Sequence, residues 1–145
     1  MLHVVQKVDD PLIRLVADDP VRPEIPVEFR VGPFSEIFVL ANEDGSPAAA
    51  VCCAYRAEIP GNTVELAQLP LEVPTVAVFY TIWSYVPGAG RRLITQARRW
   101  IQDNRSEVRQ FVTLSPPTDM ARVFHLRNGA EVHRVNVDTV NYLYP

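Results

Sequence analysis

The segment of this chain best suited to chemistry is a buried-strand pattern that runs through two glycines into a helix pattern. Thr75–Tyr85 is almost wholly β-branched, apolar or aromatic, and Arg91–Asn104 has apolar residues at helical spacing. Glycines allow a close backbone approach to a ligand, and the first N–H groups of a helix point, unpaired, beyond its end. With the helix dipole they form an anion site that suits a diphosphate. The residues predicted to hold that group are Gly88, Ala89, Gly90, Arg91 and Arg92.

The two arginines support this interpretation, because positive charge in the first turn of a helix opposes the helix dipole unless an anion binds there. A plain tight turn between strand and helix is the alternative. Two other phosphate motifs are excluded. No Gly-Lys-Ser/Thr follows the glycines, and Leu93 stands where a dinucleotide-binding fingerprint has its third glycine.

A second group of candidate residues follows the glycines in the run Met120–Ala130. It contains His125, whose side chain ordinarily titrates near neutral pH. Ser115, at the end of a short strand pattern, offers a hydroxyl just before this run. His3 and His133 have no partners at ligand spacing, so neither a zinc site nor a Ser-His-Asp triad is predicted.

These residues need a sheet to position them, and the rest of the chain supplies its strands. Met1–Val31 is poorly patterned apart from one short helix after Pro11, and Pro20, Pro23 and Pro26 exclude a regular helix through the stretch that contains them. Thr63–Leu69 is an edge strand or a loop. The predicted order is strands at Ser35–Ala41, Ala48–Glu58 and Thr75–Tyr85, a helix at Arg91–Asn104, a strand at Gln110–Leu114, a helix at Thr118–Arg127, and one or two strands in Glu131–Tyr144. This order predicts one mixed α/β three-layer domain over residues 1–145.

Composition sets the class of protein. Hydrophobic residues make up 48% of the 145, enough for one core, and the formal net charge of -3 argues against nucleic acid or an anionic membrane as partner. The only cysteines, Cys52 and Cys53, are neighbours in a strand, so they point to opposite faces and predict no mutual disulfide. No signal peptide and no membrane-spanning run is expected, and a reduced, cytoplasmic setting fits best.

The residues of both motifs resemble the GNAT acetyltransferases over Thr75–Ala130. That family has a strand, a loop with two glycines, a helix, a second strand and a helix that ends shortly before a glycine. The matching residues are Gly88, Gly90, Ala121, Phe124 and Gly129. The amino-acid sequences of both segments also resemble a compact acetyltransferase-like group of tailed bacteriophages.

The resemblance implies a GNAT-like three-layer α/β/α domain whose central mixed sheet is splayed to admit the pantetheine arm of acetyl-CoA. Backbone groups at Thr81, Ile82 and Trp83 would bind that arm and the thioester carbonyl. His125 stands in place of the family's catalytic tyrosine and, as an imidazolium, would protonate the leaving thiolate. Ser115 would assist through its hydroxyl or a water. Glu65 and Tyr80 are weaker candidates for the base.

Three functions follow from these observations. The first is an N-acetyltransferase that transfers acetyl from acetyl-CoA to a small-molecule or protein amine. The second is a GNAT scaffold without catalysis that serves as a phage accessory or host-targeting factor, with a host protein as partner in the host cytoplasm. The third is a structural virion component. An exposed edge strand at Val135–Tyr144 would allow two copies to form a homodimer.

Overall fold

A seven-stranded mixed sheet organises the computed structural model, which describes all residues from Met1 to Pro145. The strands are β1 (Leu2–Val5), β2 (Ser35–Ala41), β3 (Pro47–Arg56), β4 (Val76–Ser84), β5 (Gln110–Thr113), β6 (Glu131–Val135) and β7 (Val140–Tyr144). The helices are a 3₁₀ helix (Pro11–Asp18), α1 (Val27–Arg30), α2 (Thr63–Leu66), α3 (Ala89–Asn104) and α4 (Asp119–Arg127). The strands lie in the order β1-β2-β3-β4-β5-β7-β6, and only β4 and β5 run parallel.

The sheet separates two hydrophobic cores, which confirms the predicted mixed α/β layering. One core joins β4 to α3 through residues such as Phe79 and Leu93. The other joins β4 to the 3₁₀ helix through residues such as Tyr80 and Leu15. Successive side chains of a strand point to opposite faces, so a strand with a core on each side must be apolar throughout. This is why β4, at the sheet centre, reads as a nearly unbroken apolar run.

Neighbouring cysteines follow the same rule. Cys52 lies in the core beside the 3₁₀ helix and Cys53 in the core beside α3, and both thiols are free and buried. The prediction that they point to opposite faces is confirmed.

Three element predictions were wrong. Leu2–Val5 is an edge strand paired with β2, although its four residues are too few to show a periodic pattern. Thr63–Leu66 is a short helix rather than an edge strand, because the Asn62 side chain caps it by accepting from the Glu65 N–H. At the other end of the chain, β7 is an inner strand between β5 and β6, so the exposed edge is Glu131–Val135. All five β6 residues are exposed, whereas four of the five in β7 are buried.

No helix of the chain is both long enough and apolar enough to cross a membrane.

Candidate functional site

The two parallel strands at the sheet centre separate half-way along β4. Val76–Phe79 pairs with Gln110–Thr113, and the last bond between the two segments runs from the Leu114 N–H to the Phe79 carbonyl, at 3.1 Å. Ser115 then exchanges two 2.9 Å backbone bonds with Val140, so the chain after β5 follows β7. Residues 80–84 of β4 therefore lack a partner strand on that side. We call this gap the wedge and the Phe79–Leu114 bond its vertex.

A β-bulge at Tyr80 decides which backbone groups face the wedge. Cys52 pairs with Thr81 and Cys53 with Phe79, which leaves Tyr80 as the extra residue of β4. Beyond the bulge, the Tyr85 N–H donates to Ala48 of β3 at 2.8 Å. Because backbone groups alternate sides along a strand, the residues one and three positions before Tyr85 face the wedge.

The predicted trio of pantetheine-binding residues is therefore divided. Of the three, Ile82 presents its backbone to the wedge, while Thr81 and Trp83 direct theirs to β3. Ser84, which sequence reasoning missed, also faces the wedge. The bulge shifts the alternation by one residue, and nothing in the apolar run of β4 signals that shift.

At the mouth of the wedge, β4 passes into α3 through the predicted glycine turn. Gly88 occupies the N-cap position with φ +79°, a left-handed conformation that favours glycine, and no side chain caps the helix. The Ala89 N–H donates to the Val86 carbonyl at 3.2 Å, but Gly88, Gly90 and Arg91 donate no backbone bond to the preceding turn. Three N–H groups are thus available at one helix end, and they fit a diphosphate group.

Gly90 is required for a different reason. A Cβ atom at this position would lie 3.0 Å from the Phe124 ring and 3.1 Å from the Ser84 Oγ. The absence of a side chain lets α4 pack against the first turn of α3, and it brings the aromatic ring of α4 to the mouth of the wedge.

Two arginines follow the glycines. Both are exposed. Arg92 lines a cavity of about 520 Å³ with His3, Asn42 and Glu43, at the ends of β1 and β2. Its predicted contact with the diphosphate stays a prediction.

His125 does not have the environment expected of a proton donor. Its side chain is 4% exposed, its Nδ1 lies 2.7 Å from the Tyr144 hydroxyl, and its ring stacks on Tyr142 at 5.0 Å. Burial among these rings lowers the pKa of His125 to about 4. The side chain is therefore neutral at pH 7, and the predicted imidazolium is absent from the free protein.

Ser115 lies at the predicted place, directly after the vertex, but its hydroxyl is engaged. It is buried, and its Oγ donates to the Thr113 Oγ1 at 2.8 Å. That oxygen in turn accepts from the Tyr142 N–H at 3.0 Å. The hydroxyl thus belongs to the seam between β5 and β7.

The structure also places the two weaker candidates for the base. Glu65 is exposed in α2 and accepts from the Gly61 N–H. The Tyr80 hydroxyl is buried without a hydrogen-bond partner, and burial raises its pKa well above the ordinary value. Neither carboxylate nor phenolate is available at the wedge from these residues.

Sequence reasoning missed a cluster of buried charges beside the vertex. Arg30 forms a 2.7 Å salt bridge with Asp19, and both side chains are fully buried. Asp19 also accepts from the Thr81 hydroxyl at 2.8 Å and from two backbone N–H groups. Arg22, 6% exposed, donates from Nη1 to the Tyr80 carbonyl, which the bulge leaves free of β3. The proline-rich segment that carries these residues has no periodicity, so no pattern pointed to them.

These contacts set the titration of the cluster. Burial opposes ionisation of Asp19, but hydrogen bonds from Arg30 and two backbone N–H groups outweigh it and lower the pKa of the carboxyl. Burial lowers the pKa of Arg22, and attraction to Asp19 and Glu24 offsets this only in part. The cluster therefore holds two cations against one buried carboxylate.

No set of three or more His, Cys, Asp or Glu side chains is placed to hold a metal ion.

Comparison with known proteins gives a fold. No protein-family model and no curated protein sequence matches the chain. Among solved structures, a malonyl-CoA decarboxylase from Agrobacterium vitis superposes with a TM-score of 0.82 at 19% identity, over 99% of this chain and 60% of that one. The GCN5 structure from Tetrahymena superposes with a TM-score of 0.64 at 12% identity, over 100% of this chain and 97% of the other.

A third match, the PaiA N-acetyltransferase of Thermoplasma acidophilum in complex with coenzyme A, has a TM-score of 0.55 at 10% identity and covers 77% of this chain and 60% of that one. The present chain thus spans about 60% of the length of the malonyl-CoA decarboxylase it matches. These similarities confirm the predicted GNAT-like fold with its splayed sheet.

Proposed function

We propose that this chain binds an acyl-CoA and transfers the acyl group, in the simplest case acetyl, to an amine. The diphosphate would bind the free N–H groups of Gly88, Gly90 and Arg91, and the pantetheine arm would enter the wedge beside Ile82 and Ser84. One observation carries the proposal: unpartnered helix amides stand at the end of the one strand whose neighbour has diverged. The solved structures support it, because acetyltransferases and malonyl-CoA decarboxylases share a CoA thioester.

The reaction asks little covalent chemistry of the protein. Acyl-CoA brings the acyl group already activated as a thioester. The amine nitrogen bonds to the carbonyl carbon, the carbon–sulfur bond breaks, and the proton lost by nitrogen ends on the sulfur, which gives an amide and free CoA. The chain's task is to orient the arm along β4 and to keep water from the thioester, and it needs a route for the proton.

The second candidate is a CoA-binding protein that does not transfer the acyl group. The state of His125 favours it, because a neutral, buried imidazole that contacts the Tyr144 hydroxyl is a poor acid for a thiolate. The Ser115 hydroxyl is likewise occupied by Thr113. This candidate uses the same wedge and the same amides, so the two functions differ only in turnover.

A calorimetric titration with CoA tests the shared site. Arg91→Pro deletes one free N–H in the first helical turn, where proline is tolerated, and Arg91→Ala is its matched control because it deletes only the charge. We expect Arg91→Pro to bind CoA about tenfold more weakly than Arg91→Ala, in line with the loss of one hydrogen bond to a charged group. Equal affinities, or no binding by the unaltered chain, would refute the site.

A thiol-release assay separates the two candidates. The chain is incubated with acetyl-CoA and a panel of primary amines, and free CoA thiol is measured. Amine-dependent release supports transfer, and a fall in His125→Gln would give His125 a part in it. Tight CoA binding without release supports the binding protein.

Several narrower predictions go with these candidates. They are the bacteriophage origin, a host-protein partner, a cytoplasmic location, a role in the virion and pairing of two copies. Detection of the chain in purified phage particles would support the virion role, and its absence from them would favour an accessory one.

A further inference from the structure

A buried guanidinium lies at the deepest point of the wedge. The Tyr80 carbonyl that accepts from Arg22 belongs to the residue directly after Phe79, the last residue of β4 that bonds to β5. Arg22 therefore reaches the vertex from the face of the sheet that carries the 3₁₀ helix. The diphosphate amides lie at the opposite end of the wedge, beyond Ser84, so the guanidinium is at the end where a thioester would sit.

Arg22 is only partly satisfied by the protein. One nitrogen, Nη1, donates to the Tyr80 carbonyl, and the other two donate to no group in the chain. Those two are not sealed from solvent either. A guanidinium that is more than nine-tenths buried and donates only one hydrogen bond to the chain is unusual unless a partner completes it.

The local charge balance also lacks one anion. Arg30 forms a 2.7 Å salt bridge with Oδ2 of Asp19. The other oxygen of Asp19, Oδ1, accepts from the Thr81 hydroxyl and from the N–H groups of Val21 and Arg22. The Arg22 guanidinium forms no hydrogen bond and no salt bridge with Asp19, and Glu24, the other acid near it, is exposed. Buried charges in proteins are ordinarily paired, so one negative group is missing at this position.

We infer that Arg22 binds a carboxylate of the substrate, which makes this an enzyme or binding protein for anionic acyl groups or anionic acceptors. A guanidinium offers parallel donors that match the two oxygens of a carboxylate. That carboxylate is either the free end of a dicarboxylic acyl group or the carboxylate of an amino-acid acceptor. The inference rests on the proposed function for the identity of the thioester, but not for the anion site itself.

Matched thioesters test the acyl source by calorimetry. Malonyl-CoA is compared with propionyl-CoA, and succinyl-CoA with butyryl-CoA, so that each pair differs in the terminal carboxylate at equal chain length. If the acyl group carries the anion, one carboxylate thioester binds the unaltered chain at least tenfold more tightly than its neutral partner. Arg22→Met loses that preference, and Arg22→Lys keeps part of it because it retains the charge without the fork.

Matched acceptors test the other source. Thiol release from acetyl-CoA is measured with amino acids and with their amides. If the acceptor carries the anion, KM is at least tenfold lower for an amino acid than for its amide, and Arg22→Met removes the difference. Arg14→Gln, a change at an exposed arginine of the same segment, is the control that leaves every preference in place.

The outcomes separate this inference from the proposed function. A carboxylate preference in neither arm, or one that persists in Arg22→Met while that variant still binds CoA and unfolds at the same temperature, overturns the inference and leaves CoA binding intact. If the unaltered chain does not bind CoA, the proposed function fails instead. Free malonate and succinate are then titrated while the Arg22 Nε–H resonance is followed by NMR; a saturable shift supports the anion site and an unmoved resonance overturns it.

Discussion

The two ends of the wedge are built from different kinds of group. At its mouth, the backbone end, β4 passes through Gly88 into α3 and offers only backbone N–H groups. At its vertex, the charged end, the segment that carries Asp19 and Arg22 offers side-chain charges and no regular element. The first kind of site needs a particular local conformation, and the second needs a particular tertiary contact. A backbone site is therefore visible in the sequence as glycines, whereas a buried charge cluster has no pattern in the sequence.

The largest expected effect comes from a change at the charged end of the wedge. Arg30→Met leaves the Asp19 carboxylate buried without its ion-pair partner, and we expect the free energy of unfolding in urea to fall by about 3–5 kcal/mol. Arg14→Met, at an exposed arginine of the same segment, is the control, and it should stay within about 0.5 kcal/mol of the unaltered chain. A loss for Arg30→Met no larger than for the control would show that the buried salt bridge does not stabilise this end of the wedge.

The next effect concerns His125 and the tyrosine rings of β7 that contact it. Because burial lowers the pKa of His125 to about 4 from an ordinary 6.5, the folded state binds the proton less well than the unfolded state does. Its contribution to stability is complete above pH 6.5 and is lost as the pH falls toward 4, by roughly 3 kcal/mol. Urea unfolding at several pH values measures this slope.

The matched histidine variants distinguish this cause from general acid instability. His125→Gln should flatten the slope, while His133→Gln, on the exposed strand β6, should leave it unchanged. An equal slope in all three proteins would contradict the neutral state of His125 and would reopen its role as an acid.

A third change tests how the backbone end of the wedge, at the first turn of α3, packs against α4. Gly90→Ala places a methyl group 3.0 Å from the Phe124 ring, which must shift, and we expect a loss of about 1–3 kcal/mol in unfolding free energy. Phe124→Leu made together with Gly90→Ala should recover part of that loss, and a double-mutant cycle measures the coupling. Strict additivity of the two changes would place the cost in the helix backbone rather than in the contact with α4.

The smallest effect has two readouts, which are expected to have opposite signs. Arg91→Glu puts a negative charge in the first turn of α3, which should stabilise the free protein by about 0.3–1 kcal/mol. The same charge repels a diphosphate, so the affinity for CoA should fall. Arg99→Glu, exposed further along the same helix, should change neither quantity appreciably. If both quantities move in the same direction, the helix end is not an anion site.

What could be predicted from the sequence follows the same division. The apolar run of β4, the glycine turn and the helix predicted at Thr118–Arg127 each depend on local rules, and each was found within about one residue of its expected place. His125 was located on the right helix, but its protonation state depends on Tyr142 and Tyr144, which come from another strand. The missed facing of Ser84 depends on a bulge that is set by pairing with β3. A property that depends on residues distant in the sequence cannot be predicted from the local sequence alone.

The contact between Ser115 and Val140 has a consequence for how such a pocket changes over time. Beyond the paired part of β5, two backbone bonds between Ser115 and Val140 hold the chain to the start of β7, next to the turn at residues 136–139. An insertion or deletion in that turn would shift the position at which the β6–β7 hairpin bonds to the end of β5. The wedge would then widen or narrow, although every residue that lines it would be unchanged. In evolution, the size of the ligand that the wedge accepts could therefore change faster through loop length than through replacement of the buried groups.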